Sequence, residues 1–445
     1  MSLPETQYVK TPGGYVAYQV FGDGDLDILF ISSWLSNLDV MWEIPQLANY
    51  LNQLTSLGRV ICFDKRGSGV SDPVPLASIP TLEEWMDDAR EVLDAVGSQN
   101  VMLIGDGEGG FMATLFAATY SRRVSALVLI NAIPRWTRDE DYSIGYPKNA
   151  AAKLMKEYER YWGTGMILLL TAPSMITDAE FRKTIAKYER LSMSPGVAVD
   201  LYKWVMALDV RSVLPSIRCP VLILHRKAND HYRIQYGRYL HEHIPGSKLV
   251  EVEGADCHPF FAGDTSEILD EVQKFLTGVE VEEHTNRELT TIMFTDIVES
   301  TRHAAVLGDQ QWINKLEAHN EIIRRNLHQN RGKEIQTTGD GFLATFDGPA
   351  RAIKCAKKIR EEMGNLQLQL RIGLHTGELE FKKGVARGIA LHLASRVMSS
   401  AENNEIWVSR TVKDLVIGSG FEFADKGVHE LKGIPDSWQL YAVDN

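Results

Sequence analysis

An apolar, β-branched run, Thr290-Thr291-Ile292-Met293-Phe294-Thr295, ends abruptly in Asp296 and continues as Ile297-Val298-Glu299-Ser300-Thr301 into a helix-like pattern. That pattern puts the carboxylate at the carboxyl end of a strand beside a helix N-terminus, where a metal-bound phosphate would rest. A second carboxylate arrives in Gln336-Thr337-Thr338-Gly339-Asp340-Gly341-Phe342, whose Gly-Asp-Gly between strand-like runs reads as a tight hairpin turn with Asp340 exposed at its tip. Two aspartates on rigid β corners can hold a pair of divalent cations over a triphosphate. Further on, His392 and Arg396 stand four apart, so they project from one face of a helix. The N-terminal part carries its own candidates, Gly105-Asp106-Gly107-Glu108-Gly109-Gly110 after an apolar run and His258 within Gly254-Ala255-Asp256-Cys257-His258-Pro259.

The elements that position these groups fall into two sets. Over 8–277, strand-like and helix-like stretches alternate, the signature of an α/β sheet with helices on both faces. Strands are expected over 15–21, 27–31, 59–63, 101–104, 126–130, 221–224 and 248–252. A helix is expected over 81–96, with Leu82, Trp85, Met86, Ala89, Val92 and Leu93 on one face and a capping box from Thr81 and Glu84. The acidic, polar stretch 279–286 reads as a linker after a last helix over 266–276. Beyond it come a strand (289–295), a helix (310–328), a hairpin (334–338 with 342–346), a helix (349–363), a strand (366–375), a helix (388–400) and a strand (405–408). This is a βαββαβ unit of the ferredoxin-like kind with additions at its end.

Composition sets the outer bounds. At 445 residues two domains are expected, and 44% hydrophobic with 24% charged residues leaves material for full cores. The formal charge of −12 argues against a general affinity for nucleic acid or anionic membrane without forbidding a local basic nucleotide site. Cys62, Cys219, Cys257 and Cys355 are too scattered for zinc or redox motifs and read as reduced, mostly buried thiols. No run is apolar over a bilayer's thickness, and the opening Met1-Ser2-Leu3-Pro4-Glu5 lacks a basic segment followed by an apolar one. A cytoplasmic location is expected.

The two aspartate motifs, together with Gly388-Ile389-Ala390-Leu391-His392-Leu393-Ala394-Ser395-Arg396-Val397 and Glu430-Leu431-Lys432-Gly433, resemble the catalytic domain of class III nucleotidyl cyclases in the family's order. The resemblance implies a cyclase domain over 287–445 that binds two Mg²⁺ or Mn²⁺ ions per site through Asp296, Ile297 and Asp340. It also implies that Arg396 stabilises charge on the phosphorus while the ribose 3′-oxygen attacks, that Lys432 binds phosphate, and that the site is shared across a homodimer. His392 stands where the family has a ribose-orienting asparagine; its imidazole still donates a hydrogen bond. The base-selecting positions hold Gln336 and Val385 in place of the lysine and aspartate that read adenine. The guanine-selecting pair is absent too.

The N-terminal part, 1–278, resembles an α/β-hydrolase fold, with 135–214 as the helical cap that roofs its pocket. Aligned on that family's small-x-nucleophile-x-small elbow, Gly107 stands where a serine, cysteine or aspartate should be. Moving the frame to make Asp106 the nucleophile puts Ile104 and Glu108 at positions that need small residues. His258 fits the family's histidine, the acid position falls on Asn229 with Asp230 next to it, and Ser32-Ser33-Trp34 replaces the usual oxyanion His-Gly. Without a nucleophile there is no covalent step. The expected function is therefore conversion of ATP to 3′,5′-cyclic AMP and pyrophosphate, with a nucleophile-less hydrolase-like domain as sensor of a small apolar or acyl ligand. The alternatives are a nucleotide-binding pseudocyclase joined to a pseudohydrolase, and an active esterase regulated by the cyclase domain.

Overall fold

The computed structural model describes residues 3–75, 79–175, 177–258, 261, 265–278, 287–337, 339–382 and 385–444. The linker expected over 279–286 lies outside the described residues. The chain divides into two compact units, Met1–His284 and Thr285–Asn445.

In the first unit the elements run β1 (Gln7–Thr11), β2 (Gly14–Phe21), β3 (Asp27–Ile31), α1 (Pro45–Leu54), β4 (Arg59–Phe63), α2 (Leu82–Ala95), β5 (Val101–Asp106), α3 (Gly109–Thr119), β6 (Val124–Ile130), four cap helices, β7 (Val221–Arg226), α8 (Ile234–His243), β8 (Lys248–Val252) and α9 (Ser266–Gly278). The cap helices are α4 (Lys148–Tyr161), α5 (Met166–Thr171), α6 (Ala179–Ser192) and α7 (Pro195–Ala207). Eight strands form one sheet in the order β1-β2-β4-β3-β5-β6-β7-β8, parallel from β4 to β8. The central strands β5 and β6 are continuous apolar runs because helices cover both faces. Helix α3 is buried along its whole length, so it has no polar face at all. Both halves of the capping box at Thr81 and Glu84 form, and they open α2 where the sequence placed them. Strand β1 was not expected: its largely exposed Gln-Tyr-Val-Lys-Thr lacks apolar alternation and is held by hairpin pairing with β2. The base of the cap is clamped by Asp209, which accepts from Arg135 at 2.6 Å and from Arg211 at 2.8 Å.

The second unit runs β9 (Arg287–Ile297), α10 (Ser300–Leu307), α11 (Asp309–Gln329), β10 (Lys333–Thr337), β11 (Gly341–Phe346), α12 (Pro349–Asn365), β12 (Leu370–Lys382), β13 (Val385–Arg387), α13 (Ile389–Ser400), β14 (Ile406–Ser409), α14 (Arg410–Leu415), β15 (Phe423–Glu430) and β16 (Ser437–Val443). The sheet order is β10-β11-β9-β12-β14-β16-β15. Its first four strands are the second, third, first and fourth of the βαββαβ unit, the ferredoxin-like arrangement. Strand β12 starts later and ends later than expected. Residues 366–369 form a turn with Gln367 at φ +54°, whereas β12 stays paired with β9 from Leu370–Ile297 to Glu380–Arg287. Along β9, Met293 and Ile297 pack against Ile323 and Leu327 of α11 and Ile353 and Ile359 of α12. Ile292, on the opposite face, packs against Ala390 and Ala394 of α13 with Phe294 beside it. Strand alternation therefore places Asp296 on the α13 face. Among the described residues, no helix is long and apolar enough to cross a membrane.

His375, on β12 and 5% exposed, meets Ser409 Oγ at 2.8 Å through Nδ1, and burial pushes its pKa down to about 3. An unfolded histidine titrates near pH ~6.5, so the stability owed to the neutral ring is present above that pH and is lost as pH falls towards the folded value. The loss should approach about 1.4 kcal/mol per pH unit for the one excluded proton. Urea unfolding of the wild-type and His375→Asn proteins at pH 7.5 and 4.5 should show a steeper acid loss in the wild type. Parallel pH dependence in the two would contradict this account.

Candidate functional site

In the second unit the strand register makes the site. Asp296 is the partner of Gly341 on β11 and of Arg371 on β12, so Asp340, immediately before Gly341, is brought beside it. Both carboxylates are half-buried; Asp340, expected to be exposed at a turn tip, is partly covered because the hairpin leans on β9. Gly339 adopts φ +87°, the left-handed conformation that lets the chain turn there. Burial and then the negative charge of Asp340 raise the pKa of Asp296, while Arg371 works in the opposite direction. A carboxylate whose charge is disfavoured by a second carboxylate beside it suits a divalent cation.

Among the described residues no group of three or more His, Cys, Asp or Glu side chains gathers around one point. A cation here would therefore need main-chain, phosphate or water oxygens in addition to the two aspartates, and Ile297 is the adjoining residue. Helix α10 opens at Glu299, at φ +54° and with no side-chain cap, so no side chain competes for its first N–H groups.

Arg371 was not singled out in the sequence. It lies inside a strand run, and only the pairing with Asp296 reveals it. Its Nη2 donates to Asn403 Oδ1 at 3.0 Å, and its buried Nε has no hydrogen-bond partner.

His392 and Arg396 lie on the exposed side of α13, whose Ala390, Leu393, Ala394 and Val397 are buried. Arg396 Nε donates to the carbonyl of Lys432 at 3.0 Å, which joins two residues far apart in the chain. Among the described residues no hydrogen bond or ion pair connects His392, Arg396 or Lys432 to Asp296 or Asp340, so the expected residues form two separate groups within one chain. Gln336 is exposed on β10 next to a bulge between Glu334 and Gln336. Val385 opens β13, paired with Lys382, and its side chain lies outside the described residues.

In the first unit β5 runs into a sharp turn at Gly107, φ +51°, and then into α3. This is the strand-turn-helix of a nucleophile elbow. A Cβ on Gly107 would stand 3.1 Å from the Tyr232 hydroxyl and 3.3 Å from His258 Cε1. The side chains around it form two chains of contact. His258 Nδ1 meets Asp106 Oδ2 at 2.8 Å, with both residues buried. Burial by itself lowers the His258 pKa, but the attraction of Asp106 and Glu108 outweighs it and the net shift is upward. Glu108 accepts hydrogen bonds from Tyr232 Oη at 2.7 Å and from Ser33 Oγ, and burial raises its pKa.

One expectation about this site needs correction. Asp230 is exposed and takes no part: the chain turns on buried Asn229, whose Oδ1 accepts from the His231 and Tyr232 N–H groups, each at 2.9 Å. Asp106 is not placed to attack, because its carboxylate occupies the acid's place on His258. His258 is only 4% exposed. Trp34 is buried under the cap, with ring centroids 5.1 Å from Tyr202, 5.5 Å from Trp162 and 5.7 Å from Tyr158. Trp34 therefore packs among aromatic rings of the cap.

Two families of known proteins match the chain. Residues 282–445 match the adenylate and guanylate cyclase catalytic domain, and residues 28–162 match the alpha/beta hydrolase fold. "Serine hydrolase BPHL" of Homo sapiens is 25% identical over 248 residues, 54% of this chain and 76% of that protein. "Putative carbamate hydrolase RutD" of Variovorax paradoxus (strain S110) is 32% identical over 126 residues, 28% of this chain and 44% of that protein. A crystal structure of a hydrolase from Pseudomonas aeruginosa PA01 superimposes with a TM-score of 0.52 at 21% identity, covering 62% of this chain and 99% of that one. At that identity the likeness shows the fold alone.

Left-handed backbone at Gly107 and the close Tyr232 hydroxyl make a side chain there costly. Gly107→Ala is expected to lower stability by about 1–2 kcal/mol in denaturant unfolding. An unchanged midpoint would mean that the turn relaxes freely. Taken together, the chain joins an α/β-hydrolase fold to a class III adenylate and guanylate cyclase catalytic domain.

Proposed function

We propose that this protein is a nucleotidyl cyclase, with ATP as substrate, that forms 3′,5′-cyclic AMP and pyrophosphate at sites shared between two copies of the chain. The observation that carries the reading is the approach of Asp340, in the turn before β11, to Asp296 on the paired strand β9, where the second carboxylate raises the pKa of the first. Asp296 and Asp340, with Ile297 beside them, would hold two Mg²⁺ or Mn²⁺ ions, which when bound make the ribose 3′-hydroxyl more acidic and neutralise the leaving phosphates. The first turn of α10 offers uncapped N–H groups to phosphate oxygens, and Arg371 offers a guanidinium on the same side of the sheet end. Arg396 stabilises charge on the phosphorus, Lys432 binds phosphate, and His392 donates a hydrogen bond that orients the ribose. Gln336 and Val385 line the base.

The separation of Arg396 and Lys432 from the aspartate pair within one chain supports a second copy supplying them. Partly buried Phe294, Ile335 and Leu391 on the Asp296 face offer apolar surface for that copy. The N-terminal unit serves as a sensor that binds without hydrolysing, which fits Gly107 in the nucleophile's place at the elbow. The departures at Gln336, Val385 and His392 favour the pseudocyclase as the second reading.

Purified protein incubated with ATP or GTP and Mn²⁺, followed by chromatography, should yield cyclic AMP. Nucleotide binding without release of pyrophosphate would favour the pseudocyclase. Asp296→Ala and Arg396→Ala are each expected to be inactive alone. When randomly mixed they should recover about a quarter of wild-type activity, since half the dimers are mixed and each has one intact site. No recovery in dimers proven to be mixed would remove the shared site.

A further inference from the structure

Opposite charges set as direct partners across antiparallel strands tend to close into an ion pair, because their Cβ atoms stand about 5 Å apart. Asp296 on β9 and Arg371 on β12 are such partners. Among the described residues, however, no hydrogen bond or ion pair joins Arg371 to Asp296 or to Asp340. The guanidinium is instead engaged by Asn403, whose Oδ1 accepts from Nη2 at 3.0 Å.

The position of Asn403 is fixed without that bond. It lies in the turn between α13 and β14, where the Glu405 N–H donates to the Glu402 carbonyl at 3.2 Å and Asn404 adopts the left-handed φ +64° that asparagine tolerates. Ile372, the residue after Arg371, donates its N–H to the Glu405 carbonyl at 3.1 Å and is the strand partner of Ile406, where β14 begins. The turn that carries the acceptor is therefore tied to β12 beside Arg371 itself.

Closing the ion pair would work against both groups. A carboxylate bound to a guanidinium has fewer oxygens for a cation, and a guanidinium bound to a carboxylate has fewer N–H groups for a phosphate. With Nη2 on a neutral amide neither charge neutralises the other, and the buried Nε, which has no hydrogen-bond partner, remains an unused donor.

We propose that Asn403 is a positioning residue: it holds the Arg371 guanidinium off Asp296, which keeps the two carboxylates open to cations and the guanidinium open to phosphate. The proposal rests on reading Asp296 and Asp340 as the metal site.

3′-Deoxy-ATP lacks the hydroxyl that cyclises, so its Mn²⁺ complex reads binding without turnover. In calorimetric titration of the full-length protein with that complex, Asn403→Ala should weaken binding about fivefold, the scale of one hydrogen bond to a charged group. Asn403 is exposed, so the urea midpoint of this variant should match the wild type. In an Arg371→Met background, Asn403→Ala should change nothing; Arg371→Gln serves where Arg371→Met does not fold. Wild-type affinity in Asn403→Ala, or the same loss with and without Arg371, would overturn the proposal. Asp296→Ala separates this from failure of the underlying reading. If the wild type does not bind the complex, or Asp296→Ala binds it equally well, the two-aspartate site falls and the proposal falls with it. If Asp296→Ala weakens binding and Asn403→Ala does not, the proposal alone is lost.

Discussion

Two carboxylates brought together by strand pairing, one near the end of β9 and one in the turn before β11, are the constraint around which the cyclase unit is built. Left to themselves Asp296 and Asp340 would separate into water. Register keeps them together, because Asp296 faces Gly341 across one ladder and Arg371 across the other. That register is in turn enforced by the core: Met293 and Ile297 are buried against α11 and α12, and a one-residue slip would carry them to the α13 face and Asp296 into the core. The apolar helices thus act on the site indirectly, by making every other pairing of β9 expensive.

The first unit shows the opposite balance. Its sheet, elbow and cap have the shape of a hydrolase, and small residues allow the tight approach of α3 to β3 and β6: a Cβ on Gly109 would fall 2.2 Å from the Ile31 carbonyl oxygen, and one on Gly110 2.6 Å from Ala132 Cβ. What is absent is the attacking atom. The histidine that would have activated it instead pairs with Asp106 from the residue just before the elbow, and Tyr232 points its hydroxyl at Glu108 just after it. Burying these groups costs desolvation, and their mutual pairing acts against that cost. In the proposed division of labour, the catalytic burden lies wholly on the second unit.

In the proposed function one copy of the cyclase unit does not complete a site. Arg396 donates to the carbonyl of Lys432, and among the described residues it bonds to neither aspartate. A symmetric partner would place the cationic half of one copy against the acidic half of the other, twice over.

Much of this was legible in the residues. Strand alternation and the abrupt Asp296 end marked β9, Gly-Asp-Gly marked the hairpin, four-residue spacing put His392 and Arg396 on one helix face, and Gly107 declared the missing nucleophile. Those features are local, and local chemistry writes itself into a chain as period, cap and turn. Arg371, the Asp106–His258 pair and the outward turn of Asp230 were not legible, because each depends on which distant segments meet. Sequence alone determined the two architectures and the residue types available for chemistry. Only tertiary structure decided which of them touch, since hydrogen-bond register and side-chain packing join residues as distant as Asp106 and His258, 152 positions apart, and leave no periodic trace in between.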